Sequence, residues 1–269
     1  MPENRTVVAG PHGPVPVRRS GPPARTARPP IVWVHGGGFF RGDLDLPETH
    51  EVARALAAAG FPVITVDYRL ATIGPRFPWQ RGSSIRYPVP VDDVVAVLRA
   101  VQAEHPDGVI LGGASAGACL SAGAVLRLAA DGAPPLLGVF FAYGFFHAAL
   151  PERSREVLGR LGGRRRFTHL PTLLNLTNRN YAGSTAAMAE PFAFAGGHAL
   201  HEFPPVLMLD ADSDSMRASG AQFARELVAA EVPVDYQVLA GSSHAFLNRP
   251  GDPAFARAIG LIAGWAARR

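Results

Sequence analysis

Val109-Ile110-Leu111-Gly112-Gly113-Ala114-Ser115-Ala116-Gly117 is the stretch that decides how this chain folds. Its first residues are apolar and β-branched, which predicts a buried strand over Val109–Gly112. Gly117–Ala130 follows without a loop and reads as a helix. A strand that bends straight into a helix is a building unit of sheets covered by helices. Gly113 and Gly117 allow the two elements to approach closely, and Ala114 and Ala116 add little bulk. Such a bend can leave the hydroxyl of Ser115 standing exposed. A Gly-x-Ser-x-Gly run is weak by itself in a chain with 29 glycines, so its weight comes from lying between strand and helix.

The same grammar extends outward on both sides. Thr6–Ala9 and Val15–Arg18 flank Gly10-Pro11-His12-Gly13 and predict a β-hairpin. Arg19–Pro30 reads as a surface connection, and Ile31–Val34 as a strand buried on both faces. Helices are expected over Pro47–Ala59, Val91–Glu104, Arg217–Ala230 and Pro253–Ala267. Strands are expected over Val63–Tyr68, Leu136–Ala142, Val206–Leu209 and Val234–Leu239. The whole of 1–269 thus reads as a single α/β domain: a mostly parallel central sheet, an N-terminal antiparallel hairpin at its edge, and helices on both faces. Ala71–Pro88 and Gly144–Pro205 break the pattern. They read either as lid or wall segments at the mouth of a site or as ordinary surface insertions.

Composition narrows the function classes. With 48% hydrophobic and 18% charged residues, a compact core is expected rather than a disordered chain. The net charge of +4 comes from arginine alone, since the chain has no lysine. Arg18-Arg19, Arg164-Arg165-Arg166 and Arg268-Arg269 are scattered rather than interleaved with aromatics, which reads as solvated surface and not as a nucleic-acid face. Cys119, the only cysteine, excludes an intrachain disulfide and reads as packing. The start Met-Pro-Glu-Asn-Arg lacks an apolar segment, and Leu136–Phe146 is too short to cross a bilayer. A soluble cytoplasmic protein without stable membrane insertion is the expectation. Val234–Leu239 is expected at the sheet edge, where it either pairs with a second copy as a homodimer or is covered by the terminal helix.

A serine hydroxyl is a weak nucleophile and needs a base, an orienting acid and donors for the developing oxyanion. His35-Gly36-Gly37-Gly38 follows the strand Ile31–Val34, where three glycines suggest backbone that must stay bare. A phosphate-binding loop would need a lysine. The N–H groups of Gly37, Gly38 and Ala116 are therefore the candidate oxyanion donors. Among nine histidines, His244 lies between the last strand and last helix, at the edge from which it can reach Ser115. The chain order serine, acid, histidine then places the acid in Asp210-Ala211-Asp212-Ser213-Asp214. Asp214 is preferred, Asp212 second, and Asp210 third because it belongs to the strand end. The remaining aspartates are expected to cap the helix beginning near Met216. A calcium loop is set aside, since Ser215 and Ala221 stand where it needs glycine and glutamate. No metal or cofactor is expected.

With these residues in hand, the chain resembles the hormone-sensitive-lipase-like esterases of the α/β-hydrolase fold. The resemblance rests on His35-Gly36-Gly37-Gly38-Phe39, Val66-Asp67-Tyr68-Arg69-Leu70-Ala71, Tyr87-Pro88 through Val91-Asp92-Asp93, the Ser115 turn, Asp214 with Arg217 and Gly220, Ala230-Glu231-Val232-Pro233-Val234, and His244-Ala245-Phe246. It implies Ser115 as nucleophile, Asp214 as acid, His244 as base, and Gly37, Gly38 and Ala116 as oxyanion donors. It also implies cofactor-free hydrolysis of small carboxylic esters with short to medium acyl chains. Amides, formamides, lactones and thioesters are open to the same machinery, and a non-catalytic ligand-binding relative is the remaining alternative. Departures are Thr72-Ile73 for the usual Pro-Glu, Ala114 for an acidic residue, Ser215-Met216 for Pro-Leu, and an N-terminal helical cap expected to be absent or minimal.

Overall fold

A computed structural model describes residues 3–22, 28–73, 84–161 and 170–269. Arg164-Arg165-Arg166, part of the Arg19–Pro30 connection and the middle of Ala71–Pro88 lie outside the described residues. The chain runs β1 (Glu3–Val8), β2 (Val15–Ser20), β3 (Ile31–Val34), α1 (Pro47–Ala58), β4 (Val63–Val66), α2 (Val89–Glu104), β5 (Ile110–Ala114), α3 (Ala116–Ala130) and β6 (Gly138–Ala142). Three short helices follow, α4 (Arg155–Arg160), α5 (Pro171–Ala182) and α6 (Thr185–Met188). Then come β7 (Val206–Ser213), α7 (Arg217–Ala229), β8 (Val234–Ser243), a 3-10 turn at Phe246–Asn248 and α8 (Pro253–Ala266). Among the described residues no helix is long and apolar enough to cross a membrane.

Eight strands form one sheet in the order β1-β2-β4-β3-β5-β6-β7-β8. The first pair is the expected hairpin, with β1 antiparallel to β2 and β2 antiparallel to β4. All later pairings are parallel. Every residue of β3, β4, β5 and β6 is buried, as continuous apolar runs require when both faces are covered. One face packs Val94, Leu98, Cys119, Phe223 and Leu227 from α2, α3 and α7. The opposite face packs Val52, Leu56, Ile262 and Trp265 from α1 and α8, with Trp33 stacked on Phe140 at 5.5 Å. Cys119 is buried there with its Sγ 3.3 Å from Ala193 O, and burial pushes its thiol well up.

The topology creates a crevice. After β3 the chain enters α1 on one face, and after the neighbouring β5 it enters α3 on the other. Loops leaving two adjacent strand ends therefore diverge, which in parallel sheets opens a binding crevice at the carboxyl ends. His35–Gly38 and Ser115 occupy those two ends.

Four strands run beyond their expected ends, β2 to Ser20, β5 to Ala114, β7 to Ser213 and β8 to Ser243. β7 continues through Asp210 to Ser213 and β8 through Gly241 to Ser243, with an irregularity between Ala211 and Ser213. Asp, Ser and Gly are poor strand formers, but pairing between two established neighbours carries them.

Candidate active site

Ser115 sits between β5 and α3 with φ 50° and ψ −116°. A side chain in that region is strained, and the surrounding glycines are what permit it. A Cβ on Gly117 would overlap the carbonyls of Val34 and His35, and one on Gly113 would overlap the backbone of Gly117. The strand-to-helix turn thus wedges α3 against the end of β3, and the serine is held at the point of the wedge.

His244 follows β8 directly. Its Nε2 is 3.1 Å from Ser115 Oγ, and its Nδ1 is 2.6 Å from Asp214 Oδ2. The geometry assigns the ring proton to Nδ1, donated to Asp214, which leaves Nε2 to accept from Ser115. The second oxygen of Asp214 accepts from Met216 N–H at 3.0 Å. Burial lowers the basicity of His244, but the charge and hydrogen bond of Asp214 outweigh it, and the net direction is up.

The competing aspartates are engaged elsewhere. Asp212 accepts from Gly241 N–H at 3.0 Å and faces Arg160 and Arg217. Asp210 is buried and accepts from Tyr236 O–H at 3.0 Å. Burial, and the charge of Asp214 beside it, push Asp210 up to about 8. The expectation that the spare aspartates cap the following helix is corrected: α7 starts after Met216 with no side-chain cap, because Asp210 and Asp212 still lie in β7.

The His35–Gly38 loop has a divided hydrogen-bond pattern. Gly36 N–H donates to Glu48 Oε1 at 2.5 Å. Among the described residues no acceptor is bonded to the N–H of Gly37, Gly38 or Ala116, and all three residues line the same cavity as Ser115 and His244. His35 is not a second base. Its ring stacks on Tyr68 at 4.5 Å, its Nδ1 is 2.7 Å from Gly36 O, and burial lowers its pKa.

The cavity has a volume of about 540 Å³. Phe39, Phe40, Phe145, Leu173, Leu174 and Met216 give it an apolar wall. Phe145 and the α5 residues come from the 144–205 segment. None of the described residues of 71–88 lines it.

Sequence reasoning missed Glu48, Tyr143 and Asn248, which converge beneath the loop. Glu48 Oε2 accepts from Tyr143 O–H at 2.5 Å and from Asn248 Nδ2–H at 3.2 Å. An acid in the first turn of α1 reads as an ordinary partner of the helix dipole, so only its complete burial distinguishes it. His147 makes a second serine-histidine-carboxylate contact, with Ser219 at 2.8 Å and Glu226 at 3.1 Å. Ser219 is fully buried and its hydroxyl also accepts from Phe146 N–H, so no substrate reaches it.

A serine turn after β5, a carboxylate after β7 and an imidazole after β8 meet at the carboxyl edge of a sheet with the architecture of an α/β hydrolase. The family of the alpha/beta hydrolase fold matches residues 31–248, and the chain belongs to it. It is 32% identical to esterase LipI of Mycobacterium tuberculosis, over 93% of this chain and 77% of that protein. It is 33% identical to carboxylesterase NlhH of the same organism, over 91% of this chain and 75% of that protein. Among solved structures, the hyperthermophilic esterase of the archaeon Pyrobaculum calidifontis superposes with a TM-score of 0.83 at 24% identity, over 100% of this chain and 86% of that one. The resemblance to hormone-sensitive-lipase-like esterases drawn from the motifs is borne out at the level of family and fold.

Proposed function

We propose that the protein is a serine carboxylesterase that hydrolyses short- to medium-chain esters through a covalent acyl-enzyme. The observation that carries this reading is the unbroken contact chain Ser115 Oγ, His244, Asp214, opening into a cavity that also presents three uncommitted backbone N–H groups. Relatives about a third identical and named for esterase and carboxylesterase activity support it.

In the first step Ser115 Oγ attacks the ester carbonyl while its proton passes to His244 Nε2. The oxyanion is held by the N–H groups of Gly37, Gly38 and Ala116, and Asp214 stabilises the imidazolium. The carbonyl–alkoxy bond then breaks, and His244 gives its proton to the departing alcohol. Water, deprotonated by the same imidazole, attacks the acyl-enzyme and releases the acid and Ser115. A cavity of about 540 Å³ with aromatic and aliphatic walls suits a compact ester. Gly144–Pro205 supplies a wall of the site through α5 and Phe145.

The test is a panel of p-nitrophenyl esters from acetate to laurate, with anilides and lactones of matched acyl size. Turnover is expected to peak at the shorter esters, and Ser115→Ala should lose about 10⁴-fold or more in kcat. A panel in which anilides or lactones exceed every ester would overturn the ester assignment while leaving the nucleophile in place.

A further inference from the structure

We propose that Glu48 is a positioning residue for this chemistry, one carboxylate that locks the oxyanion loop and the His244 turn into a common frame. The inference rests on the esterase reading above and concerns how its parts are held.

Glu48 lies in the first turn of α1 and is 1% exposed. Burying a carboxylate is unfavourable unless its oxygens are satisfied. Both are. Oε1 takes Gly36 N–H, and Oε2 takes Tyr143 O–H and Asn248 Nδ2–H. Asn248 Oδ1 in turn accepts from Glu48 N–H at 3.2 Å, so the Glu48–Asn248 pair is reciprocal. Burial pushes the Glu48 carboxyl up, and the donors from Tyr143 and Gly36 oppose that shift; three donors converging on one group favour the carboxylate ion.

Each partner belongs to a different segment around the site. Gly36 opens the loop that carries Gly37 and Gly38. Tyr143 follows β6, and its ring stands edge-on to the His244 ring with centroids 5.0 Å apart. Asn248 ends the 3-10 turn four residues beyond His244. A Cβ built on Gly36 would be 2.7 Å from Glu48 Oε1 and 3.0 Å from Ser115 Cβ. The loop backbone is therefore sandwiched between this carboxylate and the nucleophile. A run of three glycines has no side chains with which to anchor itself, and Glu48 provides the anchor from outside.

The charged and titratable groups facing Glu48 are Tyr143, His244, Arg41 and Tyr68, and those facing His244 are Asp214, Glu48 and Asp210. Negative charge at Glu48 favours the imidazolium.

The experiment compares wild type, Glu48→Gln and Glu48→Asp with p-nitrophenyl acetate across pH, with thermal melting to show that each is folded. For Glu48→Gln, kcat should fall about tenfold or more with KM within about twofold, since loop and base are misplaced in the transition state rather than for binding. Its acidic limb should also move to lower pH. Glu48→Asp keeps the charge but cannot span both sets of donors, so it should lose kcat with the limb unmoved. A folded Glu48→Gln with wild-type kcat and an unmoved limb overturns the proposal. If Glu48→Gln does not fold, Tyr143→Phe and Asn248→Ala decide: loss of kcat at constant KM supports the proposal, and wild-type kcat in both overturns it. Absence of ester turnover in wild type would instead refute the esterase reading, whereas wild-type turnover with unaffected variants would refute only the role of Glu48.

Discussion

Asp214 divides its two oxygens between the His244 ring and the Met216 amide, so the acid is fixed by the backbone before it fixes the base. Asp214→Asn should therefore cost about 10³-fold or more in kcat, whereas Asp212→Asn, which loosens only Gly241 and two arginines, should stay within about tenfold. A larger loss for Asp212 would reverse the assignment. Because Asp214 raises His244 above an ordinary histidine, the acidic limb of kcat/KM should lie above pH 6.5, the usual value for that ring. Asp214→Asn should shift the limb downward. Asp210 gives a prediction in stability. Its carboxyl is raised to about 8 from 3.8, so native protein holds a proton that the unfolded chain releases, and stability falls as pH rises through that window. Asp210→Asn should gain in Tm over wild type at pH 9 relative to pH 5. An equal difference at both pH values would contradict this. The meeting of Ser115, His244 and Asp214 was legible because each belongs to a local motif at a strand end. Glu48, Tyr143 and Asn248 were not, because their meaning lies only in a meeting of residues 200 positions apart in the chain.

Between residue and fold, the elements divide into those set by local pattern and those set by neighbours. β3, α3 and the turn between β5 and α3 could be read because apolar runs and small residues announce them. The extensions of β7 and β8 could not, since Asp210 through Ser213 disfavour a strand and are drawn into one only by pairing. The same extension turned two aspartates from expected caps into strand residues. Helix α5 shows little pattern of its own, with Leu173 and Leu176 half exposed, yet it forms part of the cavity wall. Replacing Leu174 with tryptophan should narrow that wall and lower kcat/KM for p-nitrophenyl hexanoate about tenfold more than for acetate. Equal losses on both substrates would show that α5 does not set acyl length.

Across the whole molecule, the alternation of strands and helices was enough to specify the sheet, its antiparallel hairpin and its two helical faces. Strand order was less accessible: periodicity does not say that the chain crosses back over β3 after β4, and that crossing is what opens the crevice. β8 is an edge strand of the sheet, as expected. In the function proposed above, this whole architecture serves one activated hydroxyl, that of Ser115. Treatment of the folded protein with a fluorophosphonate, followed by intact mass and peptide mapping, tests it most directly. A single adduct on Ser115 is expected, lost in Ser115→Ala and strongly slowed in His244→Ala. Stoichiometric labelling elsewhere, or no labelling of folded wild type, would contradict it.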